Sequence, residues 1–129
     1  MNRRLFIERI AALIGLGAAI PQAQAASSRR IELQRSPVAG FQYHKGESIW
    51  ASLQEGEGVT LVREPDNAFD SRAVRVDWRD HKLGYVPRID NAAVSHLLDT
   101  GHAVSAEIVV LRESNNPWDR IEFVIYLVV

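Results

Sequence analysis

The sequence predicts a mainly β fold, a small six-stranded β-barrel with one or two short helices. Short stretches in which apolar and polar residues alternate recur along the chain, and residues 74–78 are the clearest of them. Turn-forming residues separate these stretches, as at Arg79-Asp80. Only residues 88–98 have the period of a longer helix. Several short strands joined by acute turns are typical of a small β-barrel.

The strands follow from the same alternation. We predict them over residues 31–38, 59–64, 74–78, 81–86, 104–110 and 121–129. Pro37 makes the first strand irregular, because proline cannot donate a ladder hydrogen bond. The last strand is an almost unbroken run of β-branched and aromatic residues, which indicates burial on both faces.

Two helices are predicted between the strands. Residues 47–53 form a short helix that Gly56 and Gly58 close. Pro87 opens a longer helix that Gly101 ends, as glycine commonly does after the last helical turn. The face of this helix that we expect to be buried consists of Ile89, Ala92, Ala93, Leu97 and Leu98.

The bulk composition favours one small domain. The chain has 129 residues, no cysteine and a formal net charge of −1. Without cysteine, neither a disulfide framework nor a thiolate metal site is possible. Residues 1–25 hold three arginines and one glutamate, a net +2, which leaves −3 for the rest. A mildly acidic domain does not bind nucleic acid by bulk charge, so any such binding needs a local pocket.

The first 25 residues have the pattern of an export signal. A basic start precedes the apolar run 10–20 and the small-residue pattern Ala23-Gln24-Ala25. Arg3 and Arg4 stand where the twin-arginine export motif has its arginines. We therefore expect a bacterial periplasmic protein, free of the membrane once the signal is cleaved. An uncleaved anchor and an unrelated amphipathic helix are the alternatives.

Residues 63–70 and 112–119 carry similar patterns. In each, an aromatic residue comes immediately before an aspartate: Phe69 before Asp70, and Trp118 before Asp119. Shared turn chemistry is one interpretation, since Asn and Asp side chains bond their own backbone. The other is a pair of related hairpins that both contribute to one binding surface.

Five short segments together resemble the HIRAN domain family. They are Gly40-Phe-Gln-Tyr43, Leu61-Val-Arg-Glu-Pro-Asp-Asn-Ala-Phe-Asp70, Ala73-Val-Arg-Val76, Lys82-Leu-Gly-Tyr-Val-Pro-Arg88 and the helix end Leu97-Leu-Asp-Thr-Gly101. The resemblance implies a modified oligonucleotide-binding-like barrel. It covers residues 38–129, which we assign to a HIRAN-like domain. Residues 1–25 are assigned to the export signal, and residues 26–37 to a polar lead and the first strand.

The resemblance also implies a function, because the best understood members of the family capture the 3′ end of single-stranded DNA. Transferred to this sequence, Tyr43 and Phe69 sandwich the terminal base. Asp70 accepts a hydrogen bond from the free 3′ hydroxyl. Tyr85 and Arg88 contact phosphates.

Residue chemistry supports these roles. A flat ring stacks on a base, which contributes roughly 1–3 kcal/mol per base. A carboxylate bonds a terminal hydroxyl but repels a continuing phosphate, and arginine matches phosphate geometry. His44, which can bond a phosphate or stack, and Asn67, first of all a turn residue, complete the candidate site. Packing is the alternative role for the rings, and turn capping for the aspartate.

The sequence departs from the family pattern at three positions. Gln42 stands where such members often have a basic residue, so one phosphate partner is missing. Phe69 lacks the hydroxyl of a tyrosine, and His44 replaces another frequent aromatic residue. Together these departures predict weaker DNA binding than in the family's best cases, or a different ligand.

No motif for catalysis, metal or cofactor is visible. The histidines, which match no zinc spacing, are His44, His81, His96 and His102. The acidic residues of the 64–70 turn lack the glycine and closing glutamate of a calcium loop. Neither an ATP-binding G-x-x-x-x-G-K-[ST] loop nor a G-x-S-x-G nucleophile elbow is present. In the family, ATP hydrolysis belongs to a separate helicase domain, so we predict no enzyme activity here.

We therefore predict a non-catalytic binding module without cofactor or metal. Its expected partner is single-stranded nucleic acid or a nucleotide, recognised at a 3′ end by aromatic stacking and phosphate contacts. The alternative is a periplasmic module that binds a protein partner or a small anion in the same groove.

Overall fold

The structure is a computed structural model and describes residues 29–43 and 46–129. The strands are β1 (Arg30–Pro37), β2 (Gly58–Glu64), β3 (Ala73–Trp78), β4 (His81–Tyr85), β5 (Val104–Leu111) and β6 (Ile121–Val128). They form one antiparallel sheet in the order β1-β6-β5-β2-β3-β4. The predicted six-stranded, mainly β fold is confirmed. The export signal predicted over residues 1–25 lies outside the described residues.

Short helical segments connect the strands. The α-helices are α1 (Gly46–Ile49) and α2 (Ala92–Asp99). The 3₁₀ turns are Phe41–Tyr43, Trp50–Ser52, Arg88–Asp90 and Pro117–Asp119. The short helix predicted over residues 47–53 therefore occurs as α1 continued by a 3₁₀ turn. Within residues 29–43 and 46–129, no helix is long and apolar enough to span a membrane.

The buried face predicted for the longer helix holds at Leu98, which packs against the core, but is wrong at its first three residues. Ile89 precedes α2 and is 93% exposed, and Ala92 and Ala93 are also exposed. Val94 and Ser95 are buried instead. The physical reason is the 3₁₀ turn before α2, which has 3.0 residues per turn instead of 3.6 and so shifts the inward face. A prediction that treats the whole segment as one α-helix places that face incorrectly.

The core lies on the inner side of the curved sheet and is capped by the helical segments. Its fully buried apolar side chains include Phe41, Val74, Val76, Leu83, Val94, Ile108, Phe123 and Ile125. β6 lies between β1 and β5, and three consecutive residues, Phe123, Val124 and Ile125, are fully buried. The prediction that this strand is buried on both faces holds for that central part.

The sheet is not closed into a barrel. β1 and β4 are its two edges, and only an isolated bridge joins Ala39 to Tyr85 across the gap. In this bridge each residue donates its N–H to the other's carbonyl, at 2.8 and 2.9 Å. The ladder stops short because β1 ends at Pro37, which has no N–H to donate. The bridge nevertheless holds the chain after β1 against the end of β4.

Candidate functional site

A pocket of about 230 Å³ opens beside the bridge between Ala39 and Tyr85. Ala39, Ala73 and Val86 supply its apolar lining. The other lining residues are Asn67, Phe69, Asp70, Tyr85 and Arg88. These five are all predicted site residues, so the fold brings them together at one place. The side chain of Tyr43 and the whole of His44 lie outside the described part of the chain.

Asn67 fixes the turn between β2 and β3 on which Phe69 and Asp70 lie. Its Oδ1 accepts the backbone N–H groups of Phe69 and Asp70, at 2.8 and 3.1 Å. Its Nδ2 donates to Glu64 at the end of β2, at 3.0 Å. Both ends of the amide are therefore used to shape the turn. Asn67 presents its neighbours to the pocket.

The second copy of the sequence pattern has the same turn chemistry. Asn116 Oδ1 accepts the backbone N–H of Trp118 at 3.1 Å, as Asn67 does for Phe69. This agreement favours the interpretation of the repeat as a shared turn. Trp118, 49% exposed, lies outside the first pocket and lines a second one of about 180 Å³ with Arg35 and Arg112.

Phe69 presents its ring to solvent. Its side chain is 85% exposed although it is a large aromatic residue. The alternative role, a hydrophobic plug under the turn, is therefore wrong. An exposed ring held on a bonded turn at the rim of a pocket is placed to stack against a flat partner.

The carboxylate of Asp70 is held by two donors. Its Oδ1 accepts the backbone N–H of Arg72 at 2.9 Å, and its Oδ2 accepts Asn91 Nδ2 at 2.7 Å. The bond from Arg72 lowers the pKa of Asp70 against the opposing effect of burial, with help from Asn91 and the nearby Arg88 charge. The group is thus an ionised acceptor, with lone pairs left for a ligand. It caps the turn and faces the pocket at once.

Tyr85 gives its hydroxyl proton to a carboxylate of the protein. Its OH donates to Glu64 Oε1 at 2.7 Å, and Arg75 Nη1 contacts the other oxygen of Glu64 at 3.0 Å. Burial opposes the ionisation of Glu64, but the bonds from Asn67, Tyr85 and Arg75 outweigh it and hold its pKa below the ordinary value. A phenol has one proton. The phosphate contact predicted for the Tyr85 hydroxyl therefore requires this bond to break.

Positive charge surrounds the pocket locally, although the chain is mildly acidic. The side chains of Arg88, which lines the pocket, and of Arg72 are exposed, and both charges act on Asp70. Lys82 lies with its Nζ 4.8 Å from the centre of the Tyr85 ring. Arg88 was a predicted phosphate ligand, whereas Arg72 and Lys82 were missed. Within the described ranges, no three His, Cys, Asp or Glu side chains are grouped to hold a metal ion.

Sequence reasoning also missed Glu64 and Asn91, whose side chains hydrogen-bond to the site residues Tyr85 and Asp70. A sequence signal exists for Glu64. It is the last residue of β2 and lies opposite Ala73, so Arg75 of β3 is its diagonal neighbour. Residues of opposite charge often pair across neighbouring strands in this way. No local signal exists for Asn91, which lies 21 residues beyond Asp70 in the chain.

Comparison with known proteins gives relatives in plants and animals. The chain is 34% identical over 74 residues to the Fanconi-associated nuclease 1 homolog of Oryza sativa subsp. japonica, which covers 54% of this chain. It is 30% identical over 82 residues to the helicase-like transcription factor of Mus musculus, which covers 63% of this chain. The matches span only 7% and 8% of those proteins.

Two solved structures share the fold. A protein from Lactobacillus plantarum aligns with a TM-score of 0.68 at 26% identity, covering 78% of this chain and 97% of that one. The HIRAN domain of human HLTF aligns with a TM-score of 0.63 at 19% identity, covering 78% of both chains. The second likeness concerns the fold alone.

The family comparison covers most of the sequence. The model of the HIRAN domain matches residues 31–129, from the second residue of β1 to the end of the chain. The matched range includes the turn and the strand end that line the pocket. The chain belongs to the HIRAN domain family.

Proposed function

We propose that this protein is a non-catalytic binding module that captures the 3′ end of single-stranded nucleic acid. One observation carries the proposal: an exposed ring, Phe69, stands directly beside an ionised carboxylate, Asp70, at the rim of a small pocket. HIRAN is a binding domain, and two relatives bear the names of a nuclease and a helicase-like factor. These names support a nucleic-acid ligand.

The terminal base stacks on Phe69. Stacking does not depend on the identity of the base, since every base has a π-face. A ring that is 85% exposed lies open to such a ligand without moving core residues. Tyr43, on the neighbouring 3₁₀ turn Phe41–Tyr43, is proposed to cover the other face of the base.

Asp70 makes the module selective for ends. Its carboxylate accepts a hydrogen bond from a free 3′ hydroxyl and repels the phosphate that a continuing strand carries at that place. Arg88 supplies a charge for the phosphate on the 5′ side, with His44 as a second candidate. Tyr85 serves as a wall of the pocket, because its hydroxyl proton is committed to Glu64.

Residues 1–25 are proposed to act as a twin-arginine export signal, which makes the periplasm the place of action. The nucleic acid met there is extracellular or released material. A module that reads an end by one ring and one carboxylate suits short fragments of any sequence.

Titration with two oligonucleotides tests the proposal. A short fluorescent strand with a free 3′ hydroxyl and the same strand with a 3′ phosphate are titrated with the full chain. We expect tighter binding of the hydroxyl form and loss of binding in Phe69→Ala. The control is Ile31→Ala, which removes an exposed apolar side chain on β1 instead. Equal affinity for both strands, or no binding of either, would refute the proposal.

A protein partner is the second candidate. Ile89 is 93% exposed and follows Arg88 in the chain, so a second exposed apolar side chain besides Phe69 lies next in sequence to a residue that lines the pocket. A small-anion ligand, the other part of the predicted alternative, uses Arg88 alone. Binding of a periplasmic protein that Phe69→Ala and Ile89→Ala both abolish, with no oligonucleotide bound, would favour the protein partner.

A further inference from the structure

Asn91 is a fully buried polar residue that hydrogen-bonds to a residue of the proposed site. Its exposed fraction is 0%, and its Nδ2 donates to Asp70 Oδ2 at 2.7 Å. It lies immediately before the first residue of α2, whereas Asp70 lies on the turn between β2 and β3. The bond therefore joins two segments that are distant in the chain, and a residue of each, Asp70 and Arg88, lines the pocket.

The side chain of Asn91 forgoes the role that asparagine usually has at this position. An Asn at a helix N-cap accepts a backbone N–H of the first turn with its Oδ1. Asn91 makes no such bond, and its Oδ1 is buried with no hydrogen-bond partner among the described residues. Leaving a buried acceptor unpaired costs free energy.

The carboxylate explains this orientation. A carboxylate only accepts hydrogen bonds, so the amide has to turn its Nδ2 toward Asp70 and its Oδ1 away. The contact with Asp70 is therefore gained at the expense of one satisfied acceptor.

We propose that Asn91 is a positioning residue of the binding site. It holds the carboxylate of Asp70 in one orientation and in its charged form, and thereby sets the preference for a ligand end that bears a hydroxyl. The claim that Asn91 sets the preference for a hydroxyl end rests on the proposed function. The claim that Asn91 holds the carboxylate of Asp70 does not.

The groups around Asp70 are consistent with this role. Its other oxygen is fixed by the backbone N–H of Arg72, and the charged groups that act on it are Arg72 and Arg88. Both arginine side chains are exposed, whereas Asn91 is buried. Of the three residues, only Asn91 therefore holds the carboxylate through a side chain that cannot turn away into water. Because Arg88 precedes Asn91 by one 3₁₀ turn, the same bond also ties the backbone that carries Arg88 to the turn that carries Asp70.

The first test needs no ligand. The pKa of Asp70 is measured in the full chain by NMR, from the chemical shift of its carboxyl carbon against pH. Asn91→Ala is expected to raise it, and Asn91→Asp, which sets a second carboxylate against the first, to raise it further. Ser95→Ala is the matched control: Ser95 is buried in the same helix and donates to Ala92, not to Asp70. An unchanged pKa of Asp70 in folded Asn91→Ala and Asn91→Asp overturns the proposal.

The second test measures selectivity. The affinities of the strands with a 3′ hydroxyl and a 3′ phosphate are compared, and their ratio is expected to fall roughly tenfold in Asn91→Ala, as for the loss of one bond to a charged group. Ser95→Ala should keep the ratio. An unchanged ratio in Asn91→Ala overturns the claim that Asn91 sets the preference for a hydroxyl end. If the wild type shows no preference, the proposed function fails, and the pKa of Asp70 alone decides whether Asn91 positions it.

Discussion

The hydroxyl of Tyr85 donates to the carboxylate of Glu64 at 2.7 Å, across the sheet from β4 to β2. Through Glu64 the tyrosine is linked to Asn67, and through Asn67 to the turn that carries Phe69. The pocket wall and the stacking ring are thus parts of one hydrogen-bonded unit.

The first prediction concerns Tyr85→Phe. The variant keeps the ring, so we expect oligonucleotide affinity within about twofold of the wild type. Removing a donor from the partly exposed Glu64 should reduce the free energy of unfolding by about 1 kcal/mol. Chemical denaturation and the same titration measure the two effects. A tenfold loss of affinity would mean that the hydroxyl leaves Glu64 to bind phosphate.

The second prediction concerns acid stability. The pKa values of Glu64 and Asp70 are lowered in the folded protein, so below the ordinary carboxyl range the unfolded chain binds more protons. The stability that these groups contribute is complete above the unfolded pKa of about 4 and is lost as pH falls through their folded pKa values. Denaturant midpoints at pH 6 and pH 3 measure the loss. Glu64→Gln should be less stable than the wild type at pH 6, and it should lose less stability between pH 6 and pH 3. An equal loss of stability in the two proteins would contradict this account.

The third prediction compares the two related turns. Asn67→Ala and Asn116→Ala each remove an amide that holds a turn, and each should cost about 1–2 kcal/mol of stability. Only Asn67→Ala should reduce the preference for a 3′ hydroxyl, because Asn116 holds Trp118 outside the first pocket. If both variants kept the same preference for a 3′ hydroxyl, the Asn67 turn would have no part in ligand selection.

The fourth prediction concerns Gly84, which lies beside the bridge to Ala39. A Cβ at Gly84 would lie 2.2 Å from the Ala39 carbonyl oxygen, and its φ of +155° is unusual for other residues. Gly84→Ala should therefore destabilise the protein by about 2–4 kcal/mol. Gly58→Ala is the control, because a Cβ there meets nothing closer than 3.8 Å. Similar melting temperatures for the two variants would show that the bridge is dispensable.

The fifth prediction concerns export. If residues 1–25 act as the proposed twin-arginine signal, replacing Arg3 and Arg4 together by lysine should leave the protein in the cytoplasm of a bacterial host, because that pathway reads the two arginines of its motif. Fractionation with an antibody against the folded domain measures its location. Replacing Arg9 by lysine is the control, since it lies outside the motif. A periplasmic double variant would exclude this route.

Local patterns sufficed for the strands and failed where distant residues meet. Val74, Val76 and Trp78 alternate with polar residues, so β3 could be predicted with its buried face. Ile89 was misplaced because no pattern separates a 3₁₀ turn from the helix that follows it. An open sheet was not foreseen either, since closure depends on the few bonds around Ala39.

The same limit applies to the site. The family motifs pointed to Phe69, Asp70 and Arg88 together, and the pocket unites them. Two partners of the site act across the fold, Glu64 on Tyr85 and Asn91 on Asp70, each at a separation of 21 residues. Such contacts follow from tertiary packing and leave no period in the sequence. The role of Tyr43 opposite Phe69 stays a prediction.

Asp70→Asn tests the central claim most directly. The variant keeps the shape of the side chain but removes the charge that repels phosphate. The ratio of the affinities for strands with a 3′ hydroxyl and a 3′ phosphate is measured in wild type and variant. We predict that the wild type prefers the 3′ hydroxyl by about tenfold or more, because it gains a charged hydrogen bond and avoids a repulsion. In the variant we predict a ratio near one. A wild-type preference that persists in Asp70→Asn would contradict the account.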